Sequence, residues 1–361
     1  MEIPFLNLSQ IAPKIQDSLK AKFTEMLEKG MYSGGTEVEK LEKSISSYLK
    51  ASFSVSCANG SDALEIALRG LGIGAGDEVI VPALTWVSTA EAVSLIGAQP
   101  VFWDTDEDGL LAENWHQAIT EKTKAVIPVH LYGKMPAMDS LVKKAKEHKL
   151  FVVEDAAQAF GAFQSGKAAG TWGDVGCLSF YPTKNLGALG EAGMCITADS
   201  ELANRLRLLL NHGQIKRDQH LLVGRNSRID SIQAGFINVF FEYWAEMQAI
   251  RKKLALRYIE SLISIDLLRL PSGVDQLDYN GHLFVIQTEN RDSLKRYLEG
   301  HGVKTSIHYP DILPDMKPFL TSGEFETARK ISKKGLSLPL NPWLKEEEQA
   351  FIIEKIRLFF K

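Results

Sequence analysis

The feature that most constrains this chain is an alternation. From about residue 53 onward, short β-branched apolar runs recur between longer amphipathic stretches. The runs at 53–58, 78–83, 100–104, 125–130, 150–155, 177–181 and 194–197 read as strands, and helical periodicity is clearest at 62–69, 86–96, 138–148 and 200–211. Alternation of this kind builds a mostly parallel sheet flanked by helices. Past residue 211 the pattern changes: a polar stretch, HGQIKRDQH, leads to a long helix expected over 231–264. Strands near 282–287 and 304–309 and helices near 292–301, 324–334 and 345–360 then suggest a compact α+β unit. A helix over 15–29, ending in the Gly-rich turn 30–35, precedes the sheet. Since 361 residues exceed one typical domain of about 100–200, a large α/β domain with a smaller C-terminal α+β domain is expected.

Charge narrows the range of partners. Lys and Arg total 41 against 45 Asp and Glu, a net charge of −4, and no basic stripe occurs, so nucleic acid is not an expected partner. Cys57, Cys177 and Cys195 are scattered without a CxxC pair, which suits reduced core thiols and no metal. The opening MEIPFLNLSQIAPKIQ lacks a basic region followed by a long apolar run, and no stretch of about 18 apolar residues follows. A cytoplasmic protein with no membrane partner is expected.

Four segments bear on chemistry. Gly70–Ala75 satisfies a loose G-x-G-x-x-G/A pattern, but these glycines end a helix and lead into a strand, the reverse of a dinucleotide fingerprint. Asn59-Gly60-Ser61-Asp62 lies after a strand and before a helix, where backbone amides and the helix dipole favour an anion; plain N-capping is the alternative. The strand FVVED ends in Asp155 at what should be the carboxyl edge of the sheet, the edge where open α/β sheets bind ligands. Lys184 follows a buried-strand pattern, with glycines at 187, 190 and 193 expected to keep bulk away from it. Such a setting desolvates an amine and lowers its pKa, as a Schiff-base lysine requires.

At these residues the chain resembles the DegT/DnrJ/EryC1/StrS family of pyridoxal-phosphate-dependent sugar aminotransferases, fold type I. The resemblance runs nearly end to end through GMYSGGTEVEKLE, NGSDALEIAL, GDEVIVPALTWVSTAEAV, AVIPVHLYG, VVEDAAQAFGA, SFYPTKNLGALGEAGM, GRNSRIDSIQAG, SIHYP and LSLPL, whose joint order is specific. It implies an N-terminal arm and large cofactor-binding domain over residues 1–240 and a smaller domain over 241–361. It also implies that Lys184 is the Schiff-base lysine and Asp155 the partner of the pyridinium nitrogen. Gly60, Ser61, Asp62 and Ser179 match the phosphate cradle, Trp86 the aromatic that stacks on the ring, and Gln158 the side chain bonded to its phenolic oxygen. Asn226 matches a residue that reaches the phosphate of a neighbouring subunit, which implies a homodimer with composite sites. Tyr32, Glu191, Arg228, His308 and Tyr309 fall on the substrate side. For His130, Tyr132, His308 and Tyr309, packing and sugar contact both remain open.

In these terms an ionised Asp155 keeps the ring nitrogen protonated, and the freed amine of Lys184 moves a proton as base and then acid. The resemblance implies transfer of an amino group, with glutamate as the expected donor, to a nucleotide-linked keto sugar. Asn226-Ser227-Arg228 and Ile307-His308-Tyr309-Pro310 match the members that act on 3-keto sugars, with a small Ser227 expected to leave room at the composite site. After HYP, where many members carry a second His and a Gln, this chain reads DILPDMKPF, a departure at the sugar pocket. A keto-cyclitol substrate is an alternative suggested by ALTWVST. A sugar dehydratase is disfavoured because those members replace the lysine with His, and a non-catalytic cofactor-binding or regulatory protein is the third reading.

Overall fold

The computed structural model describes residues 2–361. Helices α1 (Pro13–Lys29) and α2 (Thr36–Leu49) lead into β1 (Phe53–Cys57), α3 (Gly60–Gly70), β2 (Glu78–Pro82), α4 (Ser88–Leu95), β3 (Gln99–Trp103), β4 (Thr123–Val126), α5 (Met138–Glu147) and β5 (Phe151–Asp155). A short hairpin, β6 (Phe163–Gln164) and β7 (Lys167–Ala168), precedes β8 (Val175–Ser179), β9 (Gly193–Thr197) and α6 (Ser200–Leu210). A second hairpin, β10 (Gln214–Lys216) and β11 (Gln219–His220), is followed by α7 (Ser231–Glu242) and α8 (Trp244–Leu262). The C-terminal part adds β12 (Phe284–Gln287), α9 (Arg291–Gly300), α10 (Glu326–Lys334), β13 (Gly335–Leu338) and α11 (Glu346–Phe359).

Seven strands form one sheet in the order β1-β9-β8-β5-β4-β2-β3. Strand β9 runs antiparallel to both its neighbours, and the remaining pairs are parallel. The expected mostly parallel, helix-flanked sheet is therefore present. Its central strands are buried on both faces, which is why they read as unbroken apolar runs rather than alternating ones. One face packs on α3, α4 and α6 through Leu64, Val93 and Leu206, and the other on α2, α5 and α7 through Leu41, Leu141 and Ile237. A third core joins Ile3 to Tyr258, Phe284 and Ile352 in the C-terminal part. There the Ile3 amide donates to the Gly302 carbonyl (2.8 Å) and the Lys304 amide to the Ile3 carbonyl (2.9 Å). Among the described residues no helix is long and apolar enough to cross a membrane.

Three expectations need correction. Helix α2 was not expected as an element, although Leu41, Ile45 and Leu49 recur every four residues and are buried. The long helix expected over 231–264 is two helices, separated at Tyr243, whose φ of −101° and ψ of 4° close α7 without a Gly or Pro to signal it. Residues 304–309 do not form a strand; Ser306 bridges Ser337, and the antiparallel partner of β12 is β13. Without regular pairing, the 304–309 backbone is free to carry His308 and Tyr309 toward the large sheet.

Strand alternation sends the adjacent carboxylates Glu154 and Asp155 to opposite faces. Glu154 is fully buried and accepts from the amides of Gly170 (2.8 Å), Trp172 (2.6 Å) and Gly173 (2.8 Å). It also lies 2.9 Å from His130 Nε2, so the 170–173 turn and the His130 ring are both fastened to β5. His130 itself is fully buried, which gives it a packing role rather than a place in a sugar pocket. Glu154→Gln, which sets an amide NH2 against these donors, is expected to cost about 2–4 kcal/mol. Urea denaturation reads this directly, and an unchanged midpoint would show that the carboxylate does not hold the turn.

Candidate active site

The carboxyl ends of β1, β2, β5 and β8 converge on one edge of the sheet, because β9 reverses direction between β1 and β8. At the first of these ends, Asn59 caps α3 by accepting from the Asp62 amide (2.8 Å). The amides of Gly60 and Ser61 then have no acceptor among the described residues, which leaves the dipole end of α3 open to an anion. A Cβ on Gly60 would lie 2.7 Å from Ser179 Cβ, so only glycine lets this turn close against the end of β8. The hydroxyls of Ser61 and Ser88 are 2.7 Å apart. Gly60, Ser61 and Ser179 thus form a small polar cradle. Asp62 stands behind it, with its amide taken by Asn59 and its carboxylate engaged by Ser227 and Arg225.

Asp155, 6% exposed, ends β5 and accepts from Thr89 Oγ1 (2.8 Å) and the Ala157 amide (3.2 Å). Thr89, on α4, lies three residues beyond Trp86 and is fully buried. The sequence motifs do not mark this residue, and its spacing from Trp86 in WVSTAEAV is the available signal. Across the edge, Lys184 is half-buried on the loop after β8, and burial pushes its amine down to about 8 against the opposing charge of Asp155. Among the described residues its ammonium has no carboxylate within ion-pair distance. The glycines that follow do not crowd around this amine as expected. A Cβ on Gly187 would meet the Pro182 carbonyl at 2.8 Å, and one on Gly193 the Asn59 carbonyl at 2.3 Å, so these glycines fold the loop and seat the cradle.

A second wall comes from the C-terminal part. The Gln158 Nε2 donates to Tyr309 Oη (3.1 Å), and its Oε1 accepts from the Tyr132 amide (2.7 Å). Tyr132 donates its hydroxyl to the His308 carbonyl. The Tyr309 ring lies 5.6 Å from that of Trp86, which is 56% exposed and so is not a core aromatic. His308 Nδ1 sits 2.8 Å from Ser337 Oγ, and burial together with the Lys184 charge pushes its imidazole down to about 4, leaving it neutral. His282, buried beside Asn185, was also missed; inside an apolar run it reads as strand.

The remaining site residues named from the sequence form no hydrogen bond with this cluster among the described residues. Tyr32, Glu191, Asn226 and Arg228 are exposed. Arg228 donates to Asn226 Oδ1 (3.1 Å) and to Asn211 Oδ1 (2.7 Å). Ser227 is 1% exposed and bonded to Asp62, so it packs beneath this segment instead of leaving room at the site. The three cysteines are free and buried, as expected for core thiols.

A half-desolvated lysine facing a buried carboxylate, with an anion cradle alongside, is the equipment of enzymes that exchange amino and carbonyl groups on a phosphorylated ring. The chain belongs to the DegT/DnrJ/EryC1/StrS aminotransferase family, whose model matches residues 13–357. It is 39% identical to the UDP-N-acetyl-3-dehydro-alpha-D-glucosamine 3-aminotransferase of Acidithiobacillus ferrooxidans, over 98% of this chain and 97% of that one. It is also 39% identical to a protein of Geobacillus stearothermophilus named pleiotropic regulatory protein, over 100% of this chain and 99% of that one. Among solved structures, DesV of S. venezuelae in complex with a ketimine intermediate matches with a TM-score of 0.96 at 37% identity, covering 100% of this chain and 99% of that one.

In the cofactor-free chain, the acylation rate of Lys184 is expected to rise with pH to a midpoint near 8, which peptide mass spectrometry reads. Asp155→Asn should move that midpoint lower still, because the carboxylate it removes is what raises it. A parent midpoint above about 10, the ordinary lysine value, would mean that the amine is hydrated.

Proposed function

We propose that this chain is a pyridoxal-phosphate-dependent aminotransferase that transfers an amino group from an amino acid, glutamate being the expected donor, to carbon three of a nucleotide-linked keto sugar. The observation that carries the reading is the placement of half-buried Lys184 after β8 at the same sheet edge as buried Asp155 and the open amides of Gly60 and Ser61. The donor set suits the cofactor: the open amides of Gly60 and Ser61 with Ser179 take a phosphate, Asp155 takes a protonated ring nitrogen, and Trp86 offers a ring face. When bound, pyridoxal phosphate supplies an electron sink for bonds broken at the substrate carbon.

The chain's own residues do the rest. Thr89 holds Asp155 in place and supplies one of its hydrogen bonds, so the carboxylate keeps a fixed orientation toward the ring nitrogen. Lys184, partly uncharged near neutral pH, has a lone pair available to attack a carbonyl and later to hold a proton beside the reacting carbon. Gln158 keeps a side-chain N–H near the site, shared with Tyr309 Oη. His308, neutral, adds no positive charge against Lys184. Asn226 and Arg228, exposed and bonded to each other and to Asn211 and not to the site residues of their own chain, suit a homodimer in which each subunit completes its neighbour's site. Three free buried thiols suit the reducing cytoplasm.

The carbon-three assignment rests on the Acidithiobacillus relative's name and on the Asn226-Ser227-Arg228 and Ile307–Pro310 segments. The Geobacillus relative's name keeps a regulatory role as the competing reading. One experiment separates them: protein converted with glutamate is offered a panel of nucleotide 3-keto and 4-keto sugars and free keto-cyclitols, with products read by NMR. A carbon-three amine supports the proposal, whereas amination at carbon four or of a cyclitol alone overturns the substrate. No turnover with any of them favours the regulatory reading. Lys184→Ala should abolish the borohydride-reducible cofactor adduct while leaving a folded chain; retention of an adduct would displace Lys184 from its role.

The dimer has its own test. Mixed Lys184→Ala and Asn226→Ala subunits should regain activity above either variant alone, because a hybrid holds one intact composite site. No recovery despite demonstrated subunit exchange would mean that Asn226 serves its own subunit.

A further inference from the structure

Asn280 lies in the irregular segment before β12 and is 1% exposed. Its side-chain Nδ2 donates to the carbonyls of Gln158 (2.9 Å) and Phe160 (3.0 Å), and its Oδ1 accepts from the His282 amide (2.9 Å). Its backbone carbonyl accepts from Asn185 Nδ2 (3.0 Å) and Gln248 Nε2 (2.6 Å), and its amide donates to the Gly133 carbonyl (3.0 Å). Every polar group of the residue is engaged. The packing around it is equally tight: a Cβ on Gly133 would lie 1.8 Å from Asn280 Oδ1.

Three of these bonds reach two loops of the candidate site. The loop after β5 carries Gln158, and the loop after β8 carries Lys184 next to Asn185. These loops meet through Asn280 in series: Asn185 side chain to Asn280 carbonyl, then Asn280 side chain to the Gln158 and Phe160 carbonyls. His282 braces the same junction, with its ring Nδ1 lying 3.1 Å from Asn185 Oδ1. Because Asn185 Nδ2 faces a carbonyl, its Oδ1 is the acceptor, and this pattern assigns the imidazole proton to Nδ1. Burial, with the positive charges of Lys184 and Arg251 nearby, keeps that ring neutral. A charge at the junction is thereby avoided, and its geometry holds across the neutral pH range.

We infer that Asn280 is a positioning residue that fixes the Lys184 loop against the Gln158 loop, and so sets where the lysine amine stands relative to the group bonded by Gln158. This rests on the reading of Lys184 and Gln158 as cofactor-contacting residues. It adds a residue from outside the sheet and from none of the segments that carry the family resemblance.

The test uses the full chain loaded with pyridoxal phosphate. It reads the midpoint of the pH-dependent absorbance of the bound cofactor and the fraction of chain reduced at Lys184 by borohydride at limiting cofactor. Thermal unfolding of the cofactor-free chain serves as the structural control. Asn280→Ser removes the two side-chain bonds to the Gln158 loop, and Asn185→Ala removes the bond from the Lys184 loop. Each is expected to shift the absorbance midpoint by about half a pH unit or more and to lower the trapped fraction at least twofold. Because the links act in series, the double variant should shift the midpoint no further than the stronger single one. Tyr258→Phe, which loses a buried bond to the Pro339 carbonyl (3.0 Å) and no bond to either loop, should lower the melting temperature without moving the midpoint.

If Asn280→Ser does not fold, Asn185→Ala carries the same expectation alone. Shifts no larger than that of Tyr258→Phe, or full additivity in the double variant, overturn the proposal. A parent chain with no reducible adduct at Lys184 overturns the site reading itself, and the positioning role with it.

Discussion

The site depends on an unfavourable interaction: a lysine kept where its charge is poorly solvated. Taking an ammonium out of water raises the free energy of the charged form relative to the neutral amine, and Lys184 shows this in a pKa lowered to about 8. The single opposing influence is Asp155, whose negative charge favours the ammonium. Were Asp155 an ion-pair partner in contact, the amine would be protonated and inert. Instead its carboxylate is occupied by Thr89 and the Ala157 amide, so the two groups sense each other without pairing. The rest of the fold maintains that separation.

Adjacent carboxylates show how a strand divides labour. Glu154 and Asp155 are consecutive, and the strand's two-residue period turns one into a structural anchor among backbone amides and leaves the other at the carboxyl edge of the sheet. Nothing in the dipeptide itself distinguishes them. Their positions relative to the end of the strand do, because ligands at an open α/β sheet meet the last residue before the loop.

Much of this was legible in the chain of letters, and the gaps have physical causes. The sheet was legible because strands buried on both faces write continuous apolar runs, and Lys184 and Asp155 because both follow such runs. Helix α2 was overlooked because short Ser- and Lys-rich spacing hides Leu41, Ile45 and Leu49. The break at Tyr243 carried no Gly or Pro to mark it, and β13 replaced 304–309 because pairing partners are chosen in three dimensions. Within the site, the cradle at Gly60 was readable from strand–turn–helix order. Thr89, Asn280 and His282 were not, since a polar side chain acquires its role from which carbonyl or carboxylate the fold brings to it. Ser227 shows the converse: its small size, read as open space, serves a buried hydroxyl bonded to Asp62.

The pairing of Ile3 with Gly302 and Lys304 ties a segment that precedes the central sheet in the chain to one that follows it. During synthesis Ile3 has no pairing partner until residues 302–304 have left the ribosome, so it remains unpaired while the central sheet is already able to form. Docking of Ile3 is therefore a closing event, in which a segment made before the sheet pairs with one made after it. A fusion partner or tag placed ahead of Ile3 acts at that closing step, and its bulk bears on how quickly newly made chains reach the finished fold.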